Sequence, residues 1–89
     1  MSNSINKDKG YHISDIVKGD VGEISKIIEE CEELKDAENQ ENKILILCEL
    51  SDLYGAIECY LEKHFSNIKM SDIKNMSDAT KRAFESGLR

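Results

Sequence analysis

The sequence predicts an all-α protein, and three observations carry that expectation. Its 89 residues include no Pro and only 5 Gly, so little in the chain interrupts a helix. Apolar residues recur at steps of three and four through the middle of the chain. The composition, 39% hydrophobic and 34% charged without Trp, suits a soluble helical domain. A chain of this length forms one domain that buries roughly 60 to 65% of its extended surface. That is a thin core. The expected architecture is a helical bundle of two long helices plus short C-terminal helices, completed by oligomerisation into a homodimer or homotetramer.

Residues 1–12 read as a flexible N-terminal segment and residues 13–89 as the helical domain. The stretch from Met1 to Gly10 is polar, charged and without period. Tyr11 and His12 follow, either packing over the bundle or forming a lid that stacks on a nucleobase. Gly19 and Asp20 signal a helix start, with Asp20 as the N-cap. The first long helix is expected from about Val21 to Ala37, with Val21, Ile24, Ile28 and Cys31 as its apolar stripe and Ile27 and Leu34 widening it. A turn at ENQEN leads to a second helix from about Asn42 to Phe65. Its run ILILCEL is apolar nearly all round, which marks it as the central element. After SNIKM, Ser71 and Ser77 are N-cap candidates for two short helices and Gly87 is a stop.

The formal charge of −6 excludes a binder of nucleic-acid backbones, which needs a basic footprint. No apolar run reaches the roughly 18 residues of a membrane span, and the polar start has no signal-peptide core. The three cysteines are odd in number, and Cys48 and Cys59 on one helix lie roughly 16 Å apart, too far to bridge. They read as packing residues in a reducing, cytoplasmic compartment.

Chemistry concentrates between Ile28 and Asp52. Glu30 and Glu33 stand three residues apart on the first helix, and Glu49 and Asp52 three apart on the second, so each pair shares a helix face. Glu49 is flanked by Leu45 and Leu53, and Asp52 by Cys48 and Ala56, which points both acids inward. An interior carboxylate without compensation is costly, and hard divalent cations with oxygen ligands compensate such a cluster. The alternative is a buried ion pair with a Lys or Arg of the last helix. Spacing leaves open whether Glu30 and Glu33 or the parallel Glu29 and Glu32 supply the first pair, although a helical wheel puts Glu29 and Glu32 on the more solvated side. Glu58 and Glu62 fall on the opposite, solvated face. Lys26 could pair with Glu30 or meet a phosphate. No P-loop, no GxGxxG turn and no nucleophilic triad is present.

These residues resemble the signature of the MazG-like, all-α nucleoside triphosphate pyrophosphohydrolases: EExxE, a spacer of a dozen or more residues, then ExxD. Here it stands as Glu29-Glu30-Cys31-Glu32-Glu33, a fifteen-residue spacer, and Glu49-Leu50-Ser51-Asp52. The apolar setting LCELSDLYGAIECYL is similar to that family's second motif helix, and the chain's length suits compact phage-encoded and bacterial members. The resemblance covers roughly Gly19 to Arg89. It implies Glu30, Glu33, Glu49 and Asp52 as metal ligands and catalytic groups, Mg²⁺ as cofactor with Mn²⁺ as the alternative, and a nucleoside triphosphate as substrate, split between the α and β phosphates into monophosphate and pyrophosphate. It also implies phosphate contacts from the basic tail, where Lys74, Lys81, Arg82 and Arg89 gather and Lys74 and Arg82 are preferred. Lys26, Tyr11 and His12 complete the expected substrate-binding set. A module that only sequesters a nucleotide, and a helical interaction protein with structural ion pairs, are the rival expectations.

Overall fold

A computed structural model describes residues 10–87, which form three helices and no strand. Of the expected flexible segment 1–12, residues 1–9 lie outside the described residues, as does the basic Arg89, whereas Tyr11 and His12 are held against α1, the Tyr11 carbonyl accepting from Gln40. Helix α1 spans Ile24–Asn39, α2 spans Lys43–His64 and α3 spans Met70–Glu85.

Helix α1 starts three residues later than the sequence suggests. Gly22 takes a left-handed φ of 89°, which ends any regular helix upstream, and the backbone carbonyl of Asp20 accepts from Glu23 in a turn instead of Asp20 capping the helix. Glu23 is the N-cap. At the other end, Glu41 adopts a φ of 56°, and the amides of Gln40, Glu41 and Asn42 bond back to Asp36, Glu38 and Ala37. This three-residue connection reverses the chain. Asn42 then caps α2, its side chain accepting from the Leu45 amide at 3.1 Å. The two helices pack as an antiparallel hairpin around Ala37, Leu45, Ala56 and Leu61.

The C-terminal segment is one helix where Ser71 and Ser77 suggested two. Nothing between Met70 and Glu85 breaks a helix, so Ser77 continues it. The start is set by Asp72, whose carboxylate accepts from the Lys69 amide at 2.9 Å. Helix α3 packs far less on the hairpin than the hairpin's helices pack on each other and buries none of its residues, and the molecule measures 55 × 31 × 19 Å.

Residues 10–23 form an irregular strap running antiparallel along α1. Gln40 donates to the Tyr11 carbonyl, Asp36 accepts from the Ile13 and Ser14 amides, Glu29 accepts from the Gly19 amide, and Ser25 accepts from the Asp20 amide. Ser25, Glu29, Glu33, Asp36 and Gln40 follow one another at steps of four, four, three and four, which is one face of a helix. At Gly19 the approach is so close that a Cβ would lie 2.2 Å from the Ser25 carbonyl oxygen. Only glycine fits there.

The stripe of Val21, Ile24, Ile28 and Cys31 is not the buried face of a single chain: all four are exposed. Helix α2 packs instead on the neighbouring face, against the half-buried Ile27 and Leu34 and the buried Ala37. On that side of the hairpin Cys31, Leu34, Ile46 and Leu50 line a shallow apolar groove of about 400 Å³.

Candidate metal centre

The hairpin places Glu30 and Glu33 of α1 opposite Glu49 and Asp52 of α2. Each offers one carboxylate oxygen, and those four atoms lie within 4.8 Å of one another. Glu30 and Glu49 are each 5% exposed. Asp52 differs from its expected inward setting: it is exposed at the mouth of the cluster, on the boundary between exposed Cys48 and buried Ala56, where an open depression reaches it. An open depression of about 390 Å³ reaches the cluster between Lys26, Glu30, Asp52 and Ala56.

The electrostatics are uneven. Lys26 Nζ lies 3.1 Å from Glu29 and 3.2 Å from Glu30. Burial works against its charge, but the two carboxylates outweigh it and raise the ammonium above its ordinary value. Glu33 moves the other way. Burial first, and then the Glu30 carboxylate beside it, push Glu33 up to about 8. Glu30 Oε1 and Glu49 Oε1 are buried without any hydrogen-bond partner. Octahedral Mg²⁺ at about 2.1 Å from its oxygens separates them by about 3 to 4.2 Å, a spacing that four groups within this cluster could reach with small rotations. The donor set fits a hard dication, and Glu30, Glu33, Glu49 and Asp52 are the residues that could hold it.

His12 enters the same cluster from the strap. Its Nε2 is 3.1 Å from Glu49 Oε2 and 3.7 Å from Glu33 Oε1, and its Nδ1 is 3.7 Å from Asp36. The Tyr11 ring points away and is 82% exposed. Lys74 and Arg82 are not brought to the acids within one chain: both ride on α3, where Lys74 pairs with Asp78 at 2.8 Å.

Two buried acids escaped the sequence reading. Glu29, placed by the wheel on the solvated side, is 2% exposed, and so is Asp36. Burial favours their protonated forms, but the Gly19 amide and Lys26 outweigh it at Glu29, and the Ser14 amide and Gln40 at Asp36, so both carboxyls are held below their ordinary range. The spacing of Ser25, Glu29, Glu33, Asp36 and Gln40 was the available signal: a polar helical stripe facing a segment with no helix of its own. Glu58 and Glu62 are exposed, as the wheel placed them.

Comparison of the chain with protein-family models, with curated proteins and with solved structures returned no match.

Proposed function

We propose that the protein is a Mg²⁺-dependent nucleoside triphosphate pyrophosphohydrolase of the MazG-like kind, acting from the cytoplasm as a homo-oligomer. The observation that carries this reading is the convergence of four carboxylates from two helices, two of them holding buried oxygens without a hydrogen bond. Lys26 meets Glu30 and His12 meets Glu49, each at Oε2, and a dication would compensate the two oxygens left without a partner. When bound there, Mg²⁺ activates a coordinated water and neutralises charge on phosphate oxygens.

The chain's own residues would do the rest. Glu30, Glu33, Glu49 and Asp52 hold and orient the metal, and Asp52 at the mouth faces the side from which substrate arrives. Lys26 borders the same depression and meets a phosphate with a point charge. Water would add its oxygen to phosphorus and give its proton to a carboxylate of the cluster, the P–O bond between the α and β phosphates would break with its electrons going to the bridging oxygen, and monophosphate and pyrophosphate would leave. Lys74 and Arg82 reach phosphate only from a second copy. Within α3, Lys74, Lys81 and Arg82 balance Asp72, Asp78 and Glu85, whereas most of the chain's acids lie on the hairpin. The three cysteines are unbridged, which suits a reducing compartment.

The strap supports a second reading, a module that sequesters a nucleotide without cleaving it, because His12 already fills part of the acid cluster. A panel of dNTPs and NTPs incubated with protein and Mg²⁺ separates the two. Mg²⁺-dependent pyrophosphate release is expected. Tight binding without product selects sequestration, and a melting temperature indifferent to both Mg²⁺ and nucleotide leaves only structural ion pairs.

A further inference from the structure

The four carboxylates do not use every donor the cluster contains. His12, Glu33 and Glu49 form a separate group, each offering one ligand atom within 4.8 Å of the others. We propose that these three residues form a second cation position, adjoining the carboxylate position and selective for a first-row transition-metal dication over Mg²⁺. The inference rests on the metal-binding part of the function proposed above.

Geometry carries it. A dication held at about 2.0 to 2.2 Å from imidazole nitrogen and carboxylate oxygen sets neighbouring donors about 3 to 3.6 Å apart. Nε2 of His12 already stands 3.1 Å from Glu49 Oε2 and 3.7 Å from Glu33 Oε1. Glu49 Oε2 shares a hydrogen bond with His12 Nε2, while Glu49 Oε1 is buried with no hydrogen-bond partner. The carboxylate thus has two oxygens, one for each cation.

The backbone next to the imidazole is clamped. The amides of Ile13 and Ser14, directly after His12, donate to Asp36 Oδ2 at 3.0 and 2.8 Å and clamp the strap to α1. The same oxygen faces His12 Nδ1 at 3.7 Å. Nδ1 is buried without a hydrogen-bond partner and Nε2 shares a hydrogen bond with Glu49 Oε2, so a dication would take the place of that shared proton, with the Asp36 carboxylate on the far side of the ring. The His12 side chain is only 8% exposed, so it does not stand at the surface waiting for solvent. Its nitrogen decides the selectivity. Mg²⁺ prefers oxygen and keeps its waters, whereas Mn²⁺, Co²⁺ and Zn²⁺ accept imidazole with rising affinity towards the end of the row.

Co²⁺ is the probe, because it reports its ligands. The full-length protein is titrated with Co²⁺ in a large excess of Mg²⁺, followed by calorimetry and by proton NMR. The expected result is saturable Co²⁺ binding together with a strongly shifted imidazole resonance. His12→Gln removes that resonance and weakens Co²⁺ at least tenfold while Mg²⁺ affinity changes less than threefold, and His64→Gln leaves both intact. Circular dichroism confirms that each variant is folded, and the wild-type resonance stands without any variant. Co²⁺ binding that is indifferent to His12, or a resonance that disappears in His64→Gln instead, overturns this inference and leaves the carboxylate site standing. Failure of the wild type to bind either Mg²⁺ or Co²⁺ overturns both.

Discussion

The two sides of the α1–α2 hairpin invert the usual distribution of a folded chain. On the strap side, Glu29, Glu30, Asp36 and Glu49 are as buried as the core alanines and leucines. On the other, Ile28 is 56% exposed and Leu47 66% exposed. The two sides obey different physics. Buried carboxylates persist only with compensation, and here it is graded. Glu29 and Asp36 are satisfied by backbone amides, Lys26 and Gln40, whereas Glu30 and Glu49 each keep an oxygen with no partner. The satisfied acids hold the strap and the unsatisfied ones define the site. Exposed isoleucine and leucine need no partner one by one, but a row of them on a chain with so small a core is the face that the proposed second copy would cover.

Removing an unsatisfied acid should therefore have the largest effect. Glu49→Gln is expected to reduce pyrophosphate release by more than a hundredfold, beyond the roughly 10- to 100-fold that outer partners of a metal ligand carry. Glu58→Gln, on the solvated face of the same helix, should leave it unchanged. Equal loss in both, measured in one assay with folding verified by circular dichroism, would break the distinction between the two sides.

The pH dependence comes next. Glu33 titrates near 8 in the folded chain against an ordinary 4.5, so the folded state binds more protons between those values. Stability of cation-free protein should then fall by a few kcal/mol as pH rises from about 5 to 8, the direction set by linkage. Mg²⁺ favours the ionised carboxylate and should flatten the slope. Urea unfolding in EDTA and in Mg²⁺ at several pH values tests this, and a rising curve in EDTA would contradict the crowding of Glu30 against Glu33.

Much of this was legible in the sequence, for reasons specific to each element. The run from Ile44 to Leu50 declared a helix, though not the all-round covering its apolarity suggested, since Ile44, Leu47 and Leu50 are exposed in the single chain; the i,i+3 acids named their face because α-helical geometry is regular. The strap was not legible. Its extended backbone has no period, and its partners, Glu29 and Asp36, look like ordinary members of an acidic helix until the chain lies across them. The outward turn of Ile24 and Ile28 was hidden for another reason: a stripe states that a face is apolar, not which neighbour covers it. Tyr11 and His12 were read as a unit, packing over the bundle or forming a lid, yet only His12 turns inward: its side chain is 8% exposed, whereas Tyr11 is 82% exposed at a turn.

The apolar side yields a smaller effect. Were Ile28 to remain in water, Ile28→Ala would change stability by about 0.5 kcal/mol or less; covered by a second copy, it should cost about 2 kcal/mol or more and make the melting temperature depend on protein concentration. Analytical ultracentrifugation of Leu47→Lys gives the direct reading, with dissociation to monomer expected. An unchanged sedimentation coefficient would mean that this side is covered by something other than the chain itself.

The smallest effect belongs to the satisfied acids. Asp36→Asn keeps the shape of the side chain but replaces the charged acceptor with a neutral one, so the clamp on the Ile13 and Ser14 amides should weaken by about 1 kcal/mol. Hydrogen exchange at those two amides should quicken about fivefold, while amides in the middle of α2 keep their protection. The contrast with Glu49→Gln is the point of the measurement, because both residues are buried carboxylates within reach of His12. If loosening Asp36 lowers turnover as far as removing Glu49 does, the strap is part of the working site and not only its cover.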